Sequence, residues 1–298
     1  MKLLIVIAVC LAAVGLFFMG RSKLTTLRPF VNLKGVQDYE LEVMDYKRAE
    51  SEIVKENENY PKLYKGGRTG VLLIHGFTGA PYELLPLAEY LHKEGFTVYL
   101  ARVAGHGSDP ANLNQLTYED WYESVKYGYF LLKNNCDKVI VAGQSMGGLI
   151  AVNTVVNNGA DGLVLLAPCI KIKNPLSVFV PYVKYFKKYD KKNIEADEQK
   201  FFYNKYPMEG VHQLIMFTEY TAPLAEKIKV PVLMFQHLGD KVVRAEASEE
   251  FFGRIGSQDK KAVYFENDDS GYHALCGEKN PHRDVMFAEI KEWIDVIK

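Results

Sequence analysis

Cysteine, tryptophan and net charge are all scarce in this sequence. Its 298 residues include four cysteines and two tryptophans, and 36 Lys and Arg residues nearly balance 37 Asp and Glu residues. This balance does not indicate a nucleic-acid or polyanionic partner. The seven histidines are scattered, and no Cys or His pair has the spacing of a zinc site, so we expect no metal. No internal repeat or low-complexity tract is present.

The four cysteines do not form a disulfide framework. Cys10 lies in the apolar amino terminus and Cys276 in a late loop, whereas Cys136 opens one predicted strand and Cys169 ends the next. If those two strands are parallel neighbours, their cysteines lie at opposite ends of the sheet, beyond the short Cα separation that a disulfide needs. We therefore expect free, mostly buried thiols.

One long apolar run lies at the amino terminus. Residues 3–20 carry no charge and, as a helix, would span roughly 27 Å, close to the hydrocarbon thickness of a bilayer. We interpret residues 1–23 as a single uncleaved membrane anchor. The alternative is a cleaved signal segment that leaves a secreted or periplasmic protein, because Ala13-Val14-Gly15 offers small residues for processing. Positive charges on both flanks leave the orientation of an anchor open.

Residues 24–69 are predicted to be a linker followed by an amphipathic helix. The linker runs from the anchor to about residue 35. Apolar residues then recur at three- and four-residue steps through residues 35–55, at Val36, Tyr39, Val43, Tyr46 and Ile53. This spacing predicts a helix whose apolar side packs on the main domain. Asn, Pro and Gly between residues 57 and 70 indicate a loop.

From residue 70 to 298, short apolar strands alternate with longer helices. Strands are predicted at 71–75, 97–101, 138–142, 163–167, 230–235 and 262–265, and helices at 82–93, 118–133, 146–157, 244–255 and 281–297. All-apolar strands alternating with helices predict an α/β domain with a mostly parallel sheet covered by helices on both faces.

The alternation is interrupted at about residues 169–229. This insertion is rich in Tyr, Phe and Lys, and it includes Phe179, Tyr182 and Phe186. An insertion of this length with its own aromatic residues is better explained as a helical cap over the carboxyl edge of the sheet than as a bare loop. Ordinary core helices remain the alternative on periodicity alone.

Ser145 occupies the sharpest turn of the predicted domain. The strand Val139-Ile140-Val141-Ala142 breaks into Gly143-Gln144-Ser145-Met146-Gly147, and a helix follows at once. A strand that turns directly into a helix crowds its backbone, so glycines are needed beside the turn. The serine at the apex is then exposed beside a helix N-terminus, where a nucleophile could act.

A serine nucleophile needs a base, and the base needs an orienting carboxylate. Asp240 follows the predicted strand at 230–235, and His273 lies between the last strand and the closing helix. Both loops lie at the carboxyl edge of the sheet, where open α/β sheets bind ligands. Ser145, Asp240 and His273 are therefore the predicted catalytic residues.

Each partner of Ser145 has rivals nearby. Asp268 and Asp269 are alternative acids, although they lie too near His273 in the sequence to orient its ring. His237 and His282 are alternative bases. The position of His273, after the last strand and before the closing helix, favours it over both.

The oxyanion formed in acyl transfer is usually stabilised by two backbone amides. Met146, just after the nucleophile, is one predicted donor. Phe77 in His75-Gly76-Phe77-Thr78-Gly79, after the first core strand, is the other. His75 and Gly105-His106-Gly107 are interpreted as shaping these loops without touching the reacting atom.

A set of motifs together resembles the α/β-hydrolase fold and, within it, the bacterial carboxylesterase and monoacylglycerol lipase group. The set comprises His75-Gly76-Phe77-Thr78-Gly79, Gly105-His106-Gly107, Asp120-Trp121, Gly143-Gln144-Ser145-Met146-Gly147-Gly148, Gly239-Asp240-Lys241-Val242-Val243 and His273. The resemblance covers about residue 70 to the end. It implies hydrolysis of short-chain esters, monoacylglycerols or lysophospholipids, and related sequences are often labelled serine aminopeptidases. Tyr272 departs from the small residue that relatives often carry there.

We therefore predict a membrane-anchored serine hydrolase that cleaves ester or lipid substrates through an acyl-enzyme and needs no cofactor. The substrate's acyl chain is expected under the cap, against Phe179, Tyr182 and Phe186. A peptidase or amidase that uses the same residues is the main alternative. A membrane-tethered binding protein that has lost activity is the other.

Overall fold

The computed structural model describes residues 24–196, 198–266 and 272–297. Within these ranges, no helix combines the length and the apolar character needed to cross a membrane. The predicted anchor or signal segment, residues 1–23, lies outside the described residues.

A mostly parallel sheet forms the centre of the domain. The strands are β1 (Lys62–Tyr64), β2 (Thr69–Ile74), β3 (Thr97–Ala101), β4 (Lys138–Gln144), β5 (Gly162–Leu166), β6 (Tyr189–Lys191), β7 (Lys205–Pro207), β8 (Val232–His237) and β9 (Lys260–Phe265). Seven of them, in the order β1-β3-β2-β4-β5-β8-β9, make the main sheet of the described residues. Only β1 is antiparallel to its neighbour there. The predicted parallel sheet is confirmed.

Helices surround the sheet and also build part of the cap. They are α1 (Asp38–Ser51), α2 (Leu85–Lys93), α3 (Pro110–Leu113), α4 (Tyr118–Glu123), α5 (Lys126–Asn135), α6 (Met146–Asn158), α7 (Val180–Val183), α8 (Met208–Thr221), α9 (Ala245–Arg254) and α10 (Arg283–Val296). Short 3-10 turns add Asn57–Asn59, Pro81–Leu84, Pro175–Phe179 and Ala222–Lys227.

The central strands bury side chains on both faces. Leu72 and Ile74 of β2 belong to the apolar layer that also contains Leu149 of α6. Val71 and Leu73 belong to the opposite layer, together with residues of α2 and α10. Successive residues of a strand point to opposite faces, so a strand covered on both sides must be apolar throughout. This arrangement leaves the carboxyl ends of the strands as the place for loops that can carry chemistry.

The helix α1 was predicted with the wrong buried face. Its buried residues are Leu41, Asp45 and Ala49, whereas Tyr39 and Tyr46 are exposed. The periodicity failed because a charged residue turns inward, which sequence patterns do not anticipate. Asp45 accepts hydrogen bonds of 2.5 Å from Arg48 of α1 and from the Tyr99 hydroxyl of β3. An ion pair and a hydrogen bond reduce the cost of burying that carboxylate, although burial still raises the pKa of Asp45.

The residues before α1, which we predicted to be a linker, pack on the domain. Leu27 and Phe30 are buried in the same apolar layer as α6. The Leu27 amide donates to the Tyr220 hydroxyl over 3.0 Å, and the Phe30 amide donates to Asn158 Oδ1 over 2.7 Å. This segment therefore contributes to the core.

The insertion between β5 and β8 combines helices with a β-ribbon that we did not predict. The ribbon pairs β6 with β7 in antiparallel register. The helix α8 packs against α6, and its Phe217 is fully buried in the core. Part of the predicted cap is thus core structure, while the segment around the ribbon covers the carboxyl edge of the sheet.

Candidate active site

Ser145 lies at the junction of β4 and α6 with a positive φ of 55°. A Cβ on Gly143 would lie 2.1 Å from the Gly147 carbonyl oxygen, and a Cβ on Gly147 would lie 2.0 Å from the Ile74 carbonyl oxygen. No side chain fits at either position. The Ser145 amide donates to the Leu166 carbonyl of β5 over 2.9 Å, which ties the strained turn to the sheet. Positive φ at a non-glycine residue costs on the order of 1–3 kcal/mol, so the surrounding packing must hold it.

The structure brings Ser145, His273 and Asp240 into one hydrogen-bonded chain. His273 Nε2 lies 2.8 Å from Ser145 Oγ, and His273 Nδ1 lies 2.7 Å from Asp240 Oδ2. Asp240 is fully buried, whereas 19% of the His273 side chain is exposed. With the carboxylate ionised, Nδ1–H donates to Asp240, which leaves Nε2 free to accept the serine proton.

The Asp240 carboxylate is held by the turn after β8. Its Oδ1 accepts the amides of Val242 and Val243 over 2.7 and 3.0 Å. Its Oδ2 faces His273 Nδ1 over 2.7 Å and also accepts Gln236 Nε2 over 3.4 Å. Burial by itself would raise the pKa of Asp240, but the hydrogen bond and charge of His273, together with these amides, outweigh burial and lower the pKa. The group is therefore an anion at neutral pH.

The rival residues occupy other positions. The ring of His282 stacks on Phe265, 4.5 Å between centroids, and His237 accepts the Gly239 amide at Nδ1 over 3.0 Å. Among the described residues, His273 is the histidine hydrogen-bonded to Ser145 Oγ. Asp268 and Asp269 lie outside the described residues.

The two predicted oxyanion donors lie in segments next to Ser145. Met146 begins α6, and Phe77 belongs to the oxyanion loop, by which we mean residues 75–79. A Cβ on Gly76 would lie 3.3 Å from Ser145 Cβ, so this loop runs directly against the serine. Within the described part of the chain, neither amide has a hydrogen-bond acceptor. Two unsatisfied amides beside a nucleophile suit an oxyanion.

His75 shapes the oxyanion loop from inside the core. Its Nδ1 lies 2.9 Å from the Gly76 carbonyl oxygen, and its Nε2 accepts the Val103 amide over 3.1 Å. These partners require a neutral ring protonated at Nδ1. Burial lowers the pKa of His75 to about 3, and the charge of Arg102 acts in the same direction, although the hydrogen bond to the Gly76 carbonyl opposes the shift. This geometry agrees with the loop-shaping role that we expected.

Two charged residues at the oxyanion loop were missed by the sequence analysis. Glu83 follows the loop in the 3-10 turn Pro81–Leu84, and its Oε2 accepts the Gly76 amide over 2.7 Å. Lys192 follows β6 in the cap, and its Nζ donates to Thr78 Oγ1 over 2.8 Å. Glu83 could have been found from the sequence, because it is a charged residue in an otherwise apolar stretch after the loop. Lys192 could not, because only the folding of the cap brings it to the oxyanion loop.

A cavity of about 1350 Å³ opens beside the oxyanion loop. Its lining includes Phe77, Tyr82, Glu83, Lys192, Phe202 and Tyr272. The predicted acyl-chain contacts do not line it. Phe179 and Phe186 are 55% and 84% exposed, and Tyr182 is half-buried, because the turn Pro175–Phe179 and α7 lie on the outer side of the cap.

Of the described cysteines, Cys276 lines this cavity, whereas Cys136 and Cys169 do not. Cys136, Cys169 and Cys276 are free, as expected, and burial raises the pKa of Cys169 to about 12. Cys10 lies outside the described residues. Among the described residues, no group of three His, Cys, Asp or Glu side chains is placed to hold a metal ion.

The family model described as "Serine aminopeptidase, S33" matches residues 67–280. The chain belongs to this family of α/β-hydrolases. The hydrolase is 32% identical over 234 residues to the thermostable monoacylglycerol lipase of Bacillus sp. (strain H-257), an alignment that covers 73% of the chain and 90% of the relative. It is 26% identical over 240 residues to a carboxylesterase of Bacillus subtilis (strain 168), covering 79% of the chain and 96% of the relative.

A solved structure agrees with the fold. A structure reported for the metagenome-derived lipolytic enzymes LipS and LipT superimposes with a TM-score of 0.73 at 26% identity, covering 80% of this hydrolase and 98% of the solved chain. The α/β-hydrolase fold predicted from the motifs is confirmed, and so is the resemblance to lipases and esterases.

Proposed function

We propose that this α/β-hydrolase cleaves carboxylic esters through a covalent acyl-enzyme on Ser145. The observation that carries the proposal is the chain of hydrogen bonds from Asp240 through His273 to Ser145, 2.7 and 2.8 Å long. A serine hydroxyl becomes a nucleophile only when a base within hydrogen-bonding distance can take its proton. The oriented imidazole meets that condition.

In the acylation step, Ser145 Oγ attacks the ester carbonyl while His273 Nε2 takes the hydroxyl proton. The amides of Phe77 and Met146 stabilise the negative charge on the carbonyl oxygen. His273 then returns its proton to the leaving alcohol as the carbon–oxygen ester bond breaks. Asp240 holds the ring and stabilises the imidazolium throughout. Water, activated by the same histidine, hydrolyses the acyl-enzyme and restores Ser145.

The names of the relatives support an ester substrate and narrow its class. The two curated relatives are named monoacylglycerol lipase and carboxylesterase, so we propose monoacylglycerols, lysophospholipids or short-chain esters as substrates. Attachment to a membrane through residues 1–23 would bring the site to such lipids and remains part of the proposal. Cleavage of the anchor segment as a signal is its alternative.

The test is hydrolysis of p-nitrophenyl esters from acetate to palmitate by the full chain. Ser145→Ala should remove all but a trace of activity, as loss of a nucleophile does. Ser51→Ala, on the exposed end of α1, is the matched control and should leave kcat unchanged. The chain length with the highest kcat/KM then separates an esterase from a lipase.

A peptidase is the second candidate, because the matching family model is described as a serine aminopeptidase. The same three residues can cleave amides. Peptide p-nitroanilides in the same assay decide between the two: Ser145-dependent cleavage of anilides without ester hydrolysis would replace our proposal. If neither class is cleaved, a binding protein is the better description.

A further inference from the structure

Two oppositely charged side chains form hydrogen bonds to the oxyanion loop. Glu83 reaches it from the turn that follows, and Lys192 reaches it from the cap. Neither contacts Ser145 or His273 through a hydrogen bond. Their role therefore differs from that of Ser145, His273 and Asp240.

Glu83 fills the inner side of the loop. Besides accepting the Gly76 amide, its Oε2 lies 2.8 Å from the position of a Cβ on Gly79, so a side chain there would displace the Glu83 carboxylate. Burial raises the pKa of the Glu83 carboxyl, although the Gly76 amide, His273 and Lys192 each favour the ionised form. Burying the carboxylate of Glu83 costs free energy, and an uncharged acceptor could accept the Gly76 amide without that cost.

Lys192 acts on the loop through Thr78. Its ammonium donates to Thr78 Oγ1, and that hydroxyl donates in turn to the Phe77 carbonyl oxygen over 2.7 Å. Thr78 is buried and has a positive φ of 57°, an uncommon conformation for a β-branched residue. Burial lowers the pKa of Lys192, an effect that Glu83 and Glu198 oppose.

These contacts restrain three consecutive peptide groups. The first group joins residues 75 and 76, and Glu83 accepts its N–H, that of Gly76. The second joins residues 76 and 77 and carries the Phe77 N–H, and His75 binds its carbonyl oxygen, that of Gly76. The third joins residues 77 and 78, and Lys192 restrains its carbonyl, that of Phe77, through the Thr78 hydroxyl. Because each peptide group is planar, fixing one end of all three determines where the Phe77 N–H points.

We infer that Glu83 and Lys192 are positioning residues that aim the Phe77 amide at the oxyanion, so that a correctly seated cap completes the oxyanion hole. The inference rests on the proposed function, in which that amide binds the oxyanion. A small displacement of a hydrogen-bond donor lowers transition-state stabilisation much more than substrate binding.

The test uses the full chain with Lys192→Met, Glu83→Ala and Glu83→Gln. Lys191→Met, an exposed neighbour, and Glu94→Ala, exposed at the end of α2, are the matched controls. We expect Lys192→Met and Glu83→Ala to lower kcat on p-nitrophenyl acetate by about 10-fold or more, below the roughly 100-fold loss of a whole donor, with KM within about twofold. Glu83→Gln, which keeps an acceptor oxygen, should recover most of kcat.

A second measurement does not depend on the substrate. The rate constant for labelling of Ser145 by a fluorophosphonate, whose phosphoryl oxygen needs the same amides, should fall in parallel with kcat. The dissociation constant of a boronic acid, which forms a tetrahedral adduct on the serine, should rise by the same factor. Circular dichroism should show that each variant is folded. If Lys192→Met unfolds, Thr78→Val replaces it, because this substitution removes the hydroxyl that links Lys192 to the Phe77 carbonyl and keeps the charge of Lys192.

The outcomes separate this inference from the proposed function. The inference would be overturned if Lys192→Met keeps the labelling rate, kcat and boronate affinity of the wild type. If Ser145→Ala is inactive in the same assays, the proposed function stays intact. A rise in KM alone would overturn the inference too, because Lys192 would then contact the substrate. If the wild type is labelled but hydrolyses no ester, the proposed function fails and the labelling rates still decide the inference. If the wild type is not labelled, both fail.

Discussion

The Cβ position of Gly147 lies 2.0 Å from the carbonyl oxygen of Ile74. The helix that follows Ser145 therefore rests directly on the end of β2, and no side chain fits between them. This contact fixes the distance between Ser145 and the oxyanion loop, since residue 75 follows Ile74 without a break.

Gly147→Ala should separate these two elements. Because backbone must shift to admit the methyl group, we expect a loss of about 1–3 kcal/mol in the free energy of unfolding and a fall in kcat. Urea unfolding and ester hydrolysis measure the two effects. Gly253→Ala, at an exposed position of α9 with nothing within 4 Å of the new Cβ, is the control and should stabilise by about 0.5–1 kcal/mol. Equal stability of Gly147→Ala and the wild type would contradict the packing described.

Asp240→Asn should abolish most activity without unfolding the chain. The Asn oxygen can still accept the amides of Val242 and Val243, but its NH₂ group would face His273 Nδ1 and favour the wrong tautomer. We expect kcat to fall about 10³–10⁴-fold. Asp284→Asn, which is largely exposed, is the control. A kcat within tenfold of the wild type would refute the role proposed for Asp240.

Acid should destabilise the protein through its buried histidines. The pKa of His75 is lowered from its unfolded value of about 6.5 to about 3, so between these values the unfolded chain binds a proton that the folded chain does not. Stability is then lost as the pH falls below about 6.5, by about 1.4 kcal/mol per pH unit for His75. Burial also lowers the pKa of His106, whose ring lies 5.1 Å from that of His75, and adds to the slope.

Urea unfolding at pH 7, 6 and 5 measures that slope. His75→Asn, whose side-chain NH₂ can replace the donor to the Gly76 carbonyl, should be less stable at pH 7 and should lose less stability on acidification. An unchanged slope in this variant would show that His75 does not control the acid response.

Replacing a phenylalanine with alanine should affect the free energy of unfolding differently in the two halves of the cap insertion. Phe186 is 84% exposed, so Phe186→Ala should change the free energy of unfolding by less than about 0.5 kcal/mol. Phe217 of α8 is fully buried, so Phe217→Ala should cost about 3–5 kcal/mol. Thermal or urea unfolding of the two variants gives the comparison. A large cost at Phe186 would place this side chain in the packed interior.

Prediction from the sequence was most accurate where local pattern and burial agree. The strand at 97–101 has the observed limits, and the helix after Ser145 ends within one residue of its prediction. The predicted helix at 118–133 is instead α4 and α5. Ser124 interrupts it, because its hydroxyl donates to the Trp121 carbonyl and accepts the Ala104 amide. That amide lies 20 residues away, so no local pattern reveals the break.

The sequence by itself determined the order of the central strands and helices along the chain and the turn at Ser145. It also determined the identity of Asp240 and His273 as the candidate partners of Ser145. Apolar runs and glycines encode these features locally, since strand burial and crowded turns depend on neighbouring residues. Only the tertiary structure decided the inward face of α1, the β-ribbon, and the placement of Glu83 and Lys192 at the oxyanion loop. Those features depend largely on contacts between residues that are distant in the chain, such as Tyr99 with Asp45 and Lys192 with Thr78. A charged residue looks the same in sequence whether it meets solvent or a partner.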